Sequence, residues 1–290
     1  MKKKSINSVS RFAALILFTV LYSCTYDKET LPPPLEEETF IHISHTYVPY
    51  VTEQKVDSLV QQIPLSKYDI VMLGGDMAGN TTLNMSTTLF VDSIFDLSNP
   101  KTLWSIGNHD YDIPANAIAV SHKPLHYAYY HNGITFLVLD TQDSMSNFVG
   151  DQLDLIKKVT DTISESNHLV VLTHKLVWAT DNGYMQSIID TIANGQTGDC
   201  FWCINPNNFY ADVYPRLLQV KNRGIKVLCV GGDLGYHHQT FTYTNSDGIP
   251  FIGAGLFSGH AINYCIVFHY VPANRELNYS FELLTDLAKY

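Results

Sequence analysis

The sequence predicts an α/β protein in which crossover helices connect the strands of a sheet. Two observations carry this prediction. Short apolar runs of strand length alternate with segments of helical spacing in the first part of the chain, and several more strand patterns follow later. The 290 residues, of which 46% are hydrophobic, are enough for one large domain with a substantial core.

Residues 1–24 have the pattern of a targeting segment. A basic start precedes the apolar run 12–21, which is too short to span a membrane. The run ends in Leu21-Tyr22-Ser23-Cys24, which resembles a bacterial lipobox and predicts lipidation of Cys24. The other interpretation is an ordinary signal peptide with an incidental cysteine. A lipidated Cys24 would anchor the protein to a membrane of the bacterial cell envelope, either periplasmic or at the cell surface.

Residues 25–39 predict a flexible tether, because a run of three prolines favours extended structure and a run of three glutamates keeps it solvated. The folded domain is expected over residues 40–290. No second domain and no repeat is visible. The formal net charge of −10 argues against nucleic acid as a non-specific partner, because phosphate backbones attract basic patches.

The elements of this domain are expected in the following order. Strands at 40–44, 68–73 and 102–106 alternate with helices at 53–63 and 87–97. Strands at 128–130 and 135–140 flank the turn Asn132-Gly133 and predict a hairpin. A helix at 150–164, a strand at 168–173, a mixed segment at 175–208, a helix at 212–223 and a strand at 226–230 come next. Strands at 239–243, 250–252 and 263–271 are expected to form a second sheet, with one more strand at 278–284.

Side chains that can bind a metal ion follow several of the predicted strands. They are His45, Asp76, Asn108, His174 and Asp233. Because ligands collect at the carboxyl ends of such strands, we expect these side chains to meet. Carboxylate, amide and imidazole donors together suit a divalent Zn, Mn or Fe ion, which would polarise a phosphoryl oxygen and lower the pKa of bound water.

Asn108, His109 and Asp110 are the strongest functional signal. The amide oxygen can ligate a metal, the imidazole can donate a proton, and the carboxylate can hold the imidazole in one tautomer. Each has a structural alternative, since Asp76 could cap a helix, Asn108 and His109 could form a turn, and His174 or Asp233 could simply pack. Trp178 and Trp202 are expected to pack rather than to line a cleft.

Cys200 and Cys203 are separated by two residues. Outside the cytoplasm a small disulfide is the favoured interpretation, and a zinc half-site is the alternative. Cys229 and Cys265 lie in apolar runs and are expected to be buried thiols.

The motifs Gly75-Asp76, Gly107-Asn108-His109-Asp110 and the lone His174 resemble the calcineurin-like metallophosphoesterase superfamily over about residues 40–285. The resemblance implies a two-sheet α/β sandwich of four layers with the helices outside, and a dinuclear metal centre. It also implies that Asp76 bridges both metals, that Asn108 and His174 are ligands, and that His109 acts on the substrate phosphate or on its leaving group.

Two motifs depart from this family. The first motif should contain Asp-any-His, where this chain has His45-Thr46-Tyr47, and the fifth should be Gly-His-any-His, where this chain has Gly232-Asp233-Leu234-Gly235. One metal position therefore keeps Asp76, Asn108 and His174, with Asp233 in place of a histidine. The other keeps only Asp76 and His45, so one ion is expected and a second is left open. Nearby imidazoles that might replace the missing ligands are His42, His237, His238 and His260.

Two functions from different classes follow. The first is a metal-dependent phosphoesterase that hydrolyses a phosphate mono- or diester at the cell envelope with an altered metal site. The second is a catalytically inactive lipoprotein of the same fold that acts as a binding or scaffold protein for a protein partner. A phosphate-ester or glycan binder without turnover is a variant of the second.

Overall fold

The computed structural model describes residues 36–49, 51 and 54–289. The chain divides into a unit of residues Met1–Pro34 and a unit of residues Leu35–Tyr290, and the described residues belong to the second. The targeting segment, Cys24 and most of the expected tether lie outside the described residues. Across 36–49, 51 and 54–289, no helix is long and apolar enough to cross a membrane.

Eleven strands and six α-helices form the described part of the chain. The strands are β1 (Glu38–Ile43), β2 (Ile70–Leu73), β3 (Thr102–Trp104), β4 (Tyr127–His131), β5 (Ile134–Val138), β6 (His168–Thr173), β7 (Lys226–Gly231), β8 (Thr240–Thr244), β9 (Pro250–Ala254), β10 (Tyr264–Val271) and β11 (Glu276–Leu283). The helices are α1 (Met85–Phe95), α2 (Pro114–Ser121), α3 (Gly150–Thr162), α4 (Gly183–Ile188), α5 (Tyr214–Asn222) and α6 (Leu284–Leu287).

The strands form two mixed sheets. One has the order β11-β10-β1-β2-β3, with β1, β2 and β3 parallel. The other has the order β4-β5-β6-β7-β9-β8, with the four central strands parallel and an antiparallel strand at each edge. The expectation that the strands after residue 239 build a sheet of their own is therefore wrong. β8 and β9 extend the sheet of β5 to β7, whereas β10 and β11 extend the sheet of β1 to β3.

The two sheets pack face to face, with helices on both outer faces. Phe40 and Met72 of the first sheet share an apolar core with Phe136 and Leu172 of the second. Side chains of α1 and α2 pack on the outer face of the first sheet, and side chains of α3 and α5 pack on the outer face of the second. This four-layer arrangement confirms the expected two-sheet α/β sandwich.

Most expected elements are present, and the differences lie mainly in the helices. The helix expected at 53–63 is wrong, because the described residues of that range contain only a 3-10 turn at Val60–Gln62. The Asp57 carboxylate accepts hydrogen bonds from Leu59 N and from the Ser258 hydroxyl, which favours a turn over a helix. Helix α2 was not expected, although the proline in its first turn is a helix-start signal.

The start of the domain also differs slightly from the expectation. Glu38 and Thr39 pair with Tyr270 and His269 of β10, so the last two residues of the expected tether belong to the sheet.

Candidate active site

The expected metal-binding side chains meet at one cavity of about 320 Å³. It is lined by His45, Tyr47, Asp76, Asn108, His109, Asn194, Gly195, Trp202 and Asp233. His174 lies fully buried next to it, with its ring facing three of these residues. Because β1, β2, β3, β6 and β7 run parallel within their sheets, their carboxyl-terminal loops bring together residues that are far apart in sequence.

The loop after β2 holds Asp76 in a conformation that side chains rarely adopt. Asp76 has a φ of 58°, in the left-handed region, and Gly75 before it has a φ of 92°. A Cβ atom on Gly75 would lie 2.5 Å from His174 Nδ1, so only glycine fits. The left-handed conformation of Asp76 costs roughly 1–3 kcal/mol, which the surrounding contacts must offset.

The Asp110 carboxylate supplies those contacts. One oxygen accepts hydrogen bonds from Asp76 N at 2.6 Å and from Gly107 N at 3.0 Å. The other accepts from Met77 N at 2.9 Å and from the Thr81 hydroxyl. The expectation that Asp110 orients the His109 imidazole is therefore wrong. Asp110 holds the backbone of the Asp76 loop instead.

Backbone carbonyls set the tautomers of the two imidazoles at the cavity floor. His174 Nδ1 donates to Gly74 O at 2.7 Å, and His45 Nδ1 donates to Leu256 O at 2.9 Å. In the neutral ring the other nitrogen, Nε2, then carries a lone pair directed at the site. A hydrogen bond from Nδ1 to a carbonyl is the usual way in which proteins orient an imidazole for metal binding.

Oxygen atoms gather around the lone pair of His174. Its Nε2 lies 3.3 Å from Asn108 Oδ1, 3.6 Å from Asp76 Oδ1 and 4.0 Å from Asp233 Oδ1. Two ligands of one zinc ion lie at most about 4.2 Å apart, since each bond is about 2.0–2.2 Å long. Lone pairs at these separations repel unless positive charge, from a proton on Nε2 or from a cation, lies among them.

Two buried carboxylate oxygens also point to a cation at this place. Asp76 Oδ2 and Asp233 Oδ2 are buried and accept no hydrogen bond. Such atoms are costly unless a partner satisfies them. Among the described residues, no three His, Cys, Asp or Glu side chains are by themselves arranged around a common metal position. An ion at this place would need the amide oxygen of Asn108 as a further donor beside Asp76, His174 and Asp233.

The second metal position that the sequence resemblance implies is not formed in the described residues. His45 Nε2 lies 3.6 Å from Asp76 Oδ2, but the neighbouring Tyr47 ring packs edge-on against His45 and stacks on His109 at 4.3 Å. Gly235 has no room for a ligand, because a Cβ atom there would lie 2.2 Å from Leu256 O. The four nearby histidines considered as replacement ligands do not line the cavity. His42 is buried beneath Gly74, and the other three, His237, His238 and His260, are exposed.

The charges of the site shift the pKa values of its groups. Burial raises the pKa of Asp233, with the His174 imidazole opposing it. Burial alone would raise the pKa of Asp76, but the imidazoles of His174, His109 and His45 hold it below its ordinary value. Burial alone would lower the pKa of His109, but Asp76 and the Gly79 carbonyl raise it above its ordinary value.

His109 is placed to act from one side of its ring. Its Nδ1 donates to Gly79 O at 2.7 Å, and its backbone N–H donates to Asp76 Oδ1 at 2.9 Å. These two contacts leave Nε2 as the nitrogen available to a bound molecule.

The chain between α4 and α5 adds a wall that sequence reasoning missed. Asn194 binds the Asp233 loop through its backbone N–H to Asp233 O at 3.1 Å and through its side chain to Leu234 O at 2.9 Å. Trp202 lines the cavity and is 61% exposed, so the expectation that it packs is wrong, whereas Trp178 is fully buried. The length of the segment, and its cysteine pair, were the available signals, because long loops in compact domains are often functional.

No protein-family model and no curated protein matches the chain. Among solved structures, a dimetal phosphatase from Danio rerio is similar at 12% identity and a TM-score of 0.48, over 85% of this chain and 98% of that one. A 5′-nucleotidase precursor from Thermus thermophilus is similar at 12% identity and a TM-score of 0.43, over 88% of this chain and 57% of that one. NAD nucleotidase from Haemophilus influenzae is similar at 12% identity and a TM-score of 0.41, over 85% of this chain and 49% of that one. At this level of similarity the matches say nothing about the chemistry of this chain.

Proposed function

We propose that the protein is a phosphoric ester hydrolase that uses one divalent metal ion. The observation that carries the proposal is the cluster of lone pairs around His174 Nε2, together with the unpartnered buried oxygens of Asp76 and Asp233. Asp76, Asn108, His174 and Asp233 would hold the ion, with His45 at its edge. Such an ion, Zn, Mn or Fe, polarises a phosphoryl oxygen and lowers the pKa of water.

His109 is the proposed proton donor to the leaving group. Its Nε2 is the free nitrogen of a ring that Gly79 O and the Tyr47 stack hold in place. A general acid needs its donor nitrogen to face the leaving group, and Nε2 is the ring nitrogen that this geometry leaves for that contact. Asp110 contributes by joining the loop after β2, which carries Asp76, to the backbone of Gly107 after β3.

The cell-envelope location is a separate part of the proposal. The lipobox pattern that ends at Cys24 supports a lipid anchor on a bacterial membrane. Incorporation of a labelled fatty acid into the wild-type chain, and its loss in Cys24→Ser, is the expected result. Equal labelling of both chains would contradict the anchor.

A second candidate is a scaffold or binding protein that has lost catalysis. Two observations favour it: the missing ligands at the second metal position, and the absence, within the described residues, of a preformed group of three His, Cys, Asp or Glu ligands. In that case the partner of the cavity face is a protein.

Hydrolysis of bis(p-nitrophenyl) phosphate and p-nitrophenyl phosphate, with Zn, Mn or Fe added, separates the two candidates. The hydrolase proposal predicts turnover that falls by about 100-fold or more in Asn108→Ala, since loss of support around a metal already costs about 10–100-fold. The control Asn274→Ala, in an exposed turn, keeps wild-type activity. Absence of turnover with every metal favours the scaffold, whereas equal turnover in both variants would contradict the assignment of Asn108 to the active site.

A further inference from the structure

One wall of the cavity is an exposed aromatic ring on a short closed loop. Trp202 lies between Cys200 and Cys203, which are joined by a disulfide, and Cys203 N also donates to Cys200 O at 3.0 Å. Large aromatic side chains are usually buried, and an exposed one beside a cavity is a common contact for ligands. The same cavity holds the proposed metal ligands Asp76 and Asp233.

Buried polar contacts fix this loop to the floor of the site. Lys175 Nζ donates to Phe201 O at 2.8 Å and lies 3.3 Å from Ser146 Oγ and from Asn205 Oδ1. Asn205 Nδ2 donates to Cys200 O at 2.9 Å. Since Lys175 directly follows His174, the loop and a proposed metal ligand are attached to the end of the same strand. The backbone that carries Trp202 is therefore held in place before any ligand arrives, which lowers the entropy cost of binding.

The charge of the cavity restricts which phosphate esters it suits. The carboxylates of Asp76 and Asp233 line the cavity, whereas none of the Lys and Arg residues that the structure describes lines it. The Lys175 ammonium is engaged beneath the aromatic loop. His109 and the Asn108 amide are donors that a bound phosphate can reach in this cavity, and the two carboxylates would already balance the two positive charges of the proposed ion. A dianionic monoester is poorly matched to such a site, and a singly charged diester is better matched.

We infer that the preferred substrate is a phosphodiester that carries a flat aromatic group, which stacks on Trp202. This inference rests on the proposed phosphoesterase function and names its substrate class. The aromatic group is an aryl ring or a nucleobase, which have the same stacking chemistry. Base-on-aromatic stacking contributes about 1–3 kcal/mol per ring by alanine substitution, and since about 1.4 kcal/mol is a factor of ten, the lower part of this range corresponds to roughly a 10-fold change in affinity.

Calorimetric titration of the full chain, with zinc present, tests the inference without requiring turnover. Diphenyl phosphate is expected to bind at least about 10-fold more tightly than either of two comparison ligands. Phenyl phosphate carries a second negative charge, and dimethyl phosphate has no aromatic ring. Trp202→Ala should weaken diphenyl phosphate binding by about 10-fold, and Trp202→Phe should restore most of it. The control Tyr130→Ala, an exposed aromatic outside this cavity, should bind as the wild type does.

Three results would overturn the inference: phenyl phosphate binding as tightly as diphenyl phosphate, Trp202→Ala binding as tightly as Tyr130→Ala, or no binding of diphenyl phosphate. A dinucleoside monophosphate used as a further ligand assigns the ring to a nucleobase if it binds more tightly than diphenyl phosphate, and to an aryl group if it binds less tightly. Hydrolysis of monoesters and diesters without preference sinks the inference alone. Selective binding without hydrolysis sinks the proposed hydrolase alone.

Discussion

Replacement of Asp110 by asparagine tests whether this residue supports the Asp76 loop. Both carboxylate oxygens accept from backbone N–H groups, one from Asp76 and Gly107 and the other from Met77. An asparagine has one acceptor oxygen, so either orientation of the amide directs its NH₂ group at a buried N–H donor. The less costly orientation gives up the contact to Met77 N, makes the Thr81 hydroxyl accept rather than donate, and keeps the contacts to the N–H groups of Asp76 and Gly107.

The expected loss in the free energy of unfolding is about 2–4 kcal/mol. A hydrogen bond to a charged group contributes about 1.5–3 kcal/mol, and a buried donor left without an acceptor costs about 1–3 kcal/mol. These two overlap in part, and the remaining two bonds weaken because the acceptor is neutral. Urea unfolding at pH 7, followed by tryptophan fluorescence, measures the change through the midpoint at constant slope.

Asp112→Asn is the matched control, because Asp112 is an exposed carboxylate two residues further along the same loop. It should change the unfolding free energy by less than about 0.5 kcal/mol, as surface substitutions usually do. If Asp110→Asn proves no less stable than Asp112→Asn, the loop-supporting role of Asp110 is refuted. An altered pH profile at unchanged stability would return Asp110 to the role of orienting His109.

Three more outcomes are expected. Gly75→Ala should lose zinc binding in a titration, because a Cβ atom there meets an imidazole nitrogen at 2.5 Å and the φ is 92°; wild-type zinc affinity would contradict this. Burial, with the charge of a nearby lysine, lowers the pKa of His168 from 6.5 to about 4, so the unfolded chain takes up the proton first and stability falls as pH drops from 6.5 to about 4. The unfolding free energy should fall by about 1 kcal/mol by pH 5, after allowance for solvent screening. This fall should vanish in His168→Gln and persist in the control His237→Gln, whose histidine is exposed. Identical curves of unfolding free energy against pH for the two variants would disprove it. The double variant Cys200→Ser/Cys203→Ser should lose at most about 2 kcal/mol of stability, because its loop is short, yet bind diphenyl phosphate several-fold more weakly; unchanged binding would show that the disulfide does not position the ring.

Local patterns predicted most strands because each apolar run is buried on both faces or alternates clearly. The run 168–173 coincides with β6, and the Asn132-Gly133 turn joins β4 to β5, with both residues at positive φ as a tight hairpin requires. Pairing between distant strands was not predictable in the same way. β10 is a strand by its own pattern, but its place beside β1 depends on packing across more than 200 residues.

The candidate ligands could be predicted because parallel strands end at the same edge of a sheet. Asp76, Asn108, His174 and Asp233 all follow strands, so topology alone brings them together. The partner of Asp110 could not be read from its neighbour in sequence. A 3-10 turn at Asn108–Asp110 directs the carboxylate back to the loop after β2.

The wall formed by Trp202 could not be predicted for a different reason. The segment 189–205 has one 3-10 turn at Ile189–Thr191, two isolated bridges and side-chain hydrogen bonds in place of a regular period. Its position over the cavity depends on contacts such as those of Asn194 with the Asp233 loop. Such contacts leave no repeating pattern in the sequence.

Metal content of the purified chain tests the central claim most directly. The protein is prepared without chelators, incubated with zinc and freed of excess metal. Inductively coupled plasma mass spectrometry should then find about one equivalent of zinc per wild-type chain and almost none in His174→Ala. The exposed-site control His237→Ala should keep the wild-type content. A wild-type content of two equivalents would contradict the single-ion site, and a content of zero would contradict the metal site altogether.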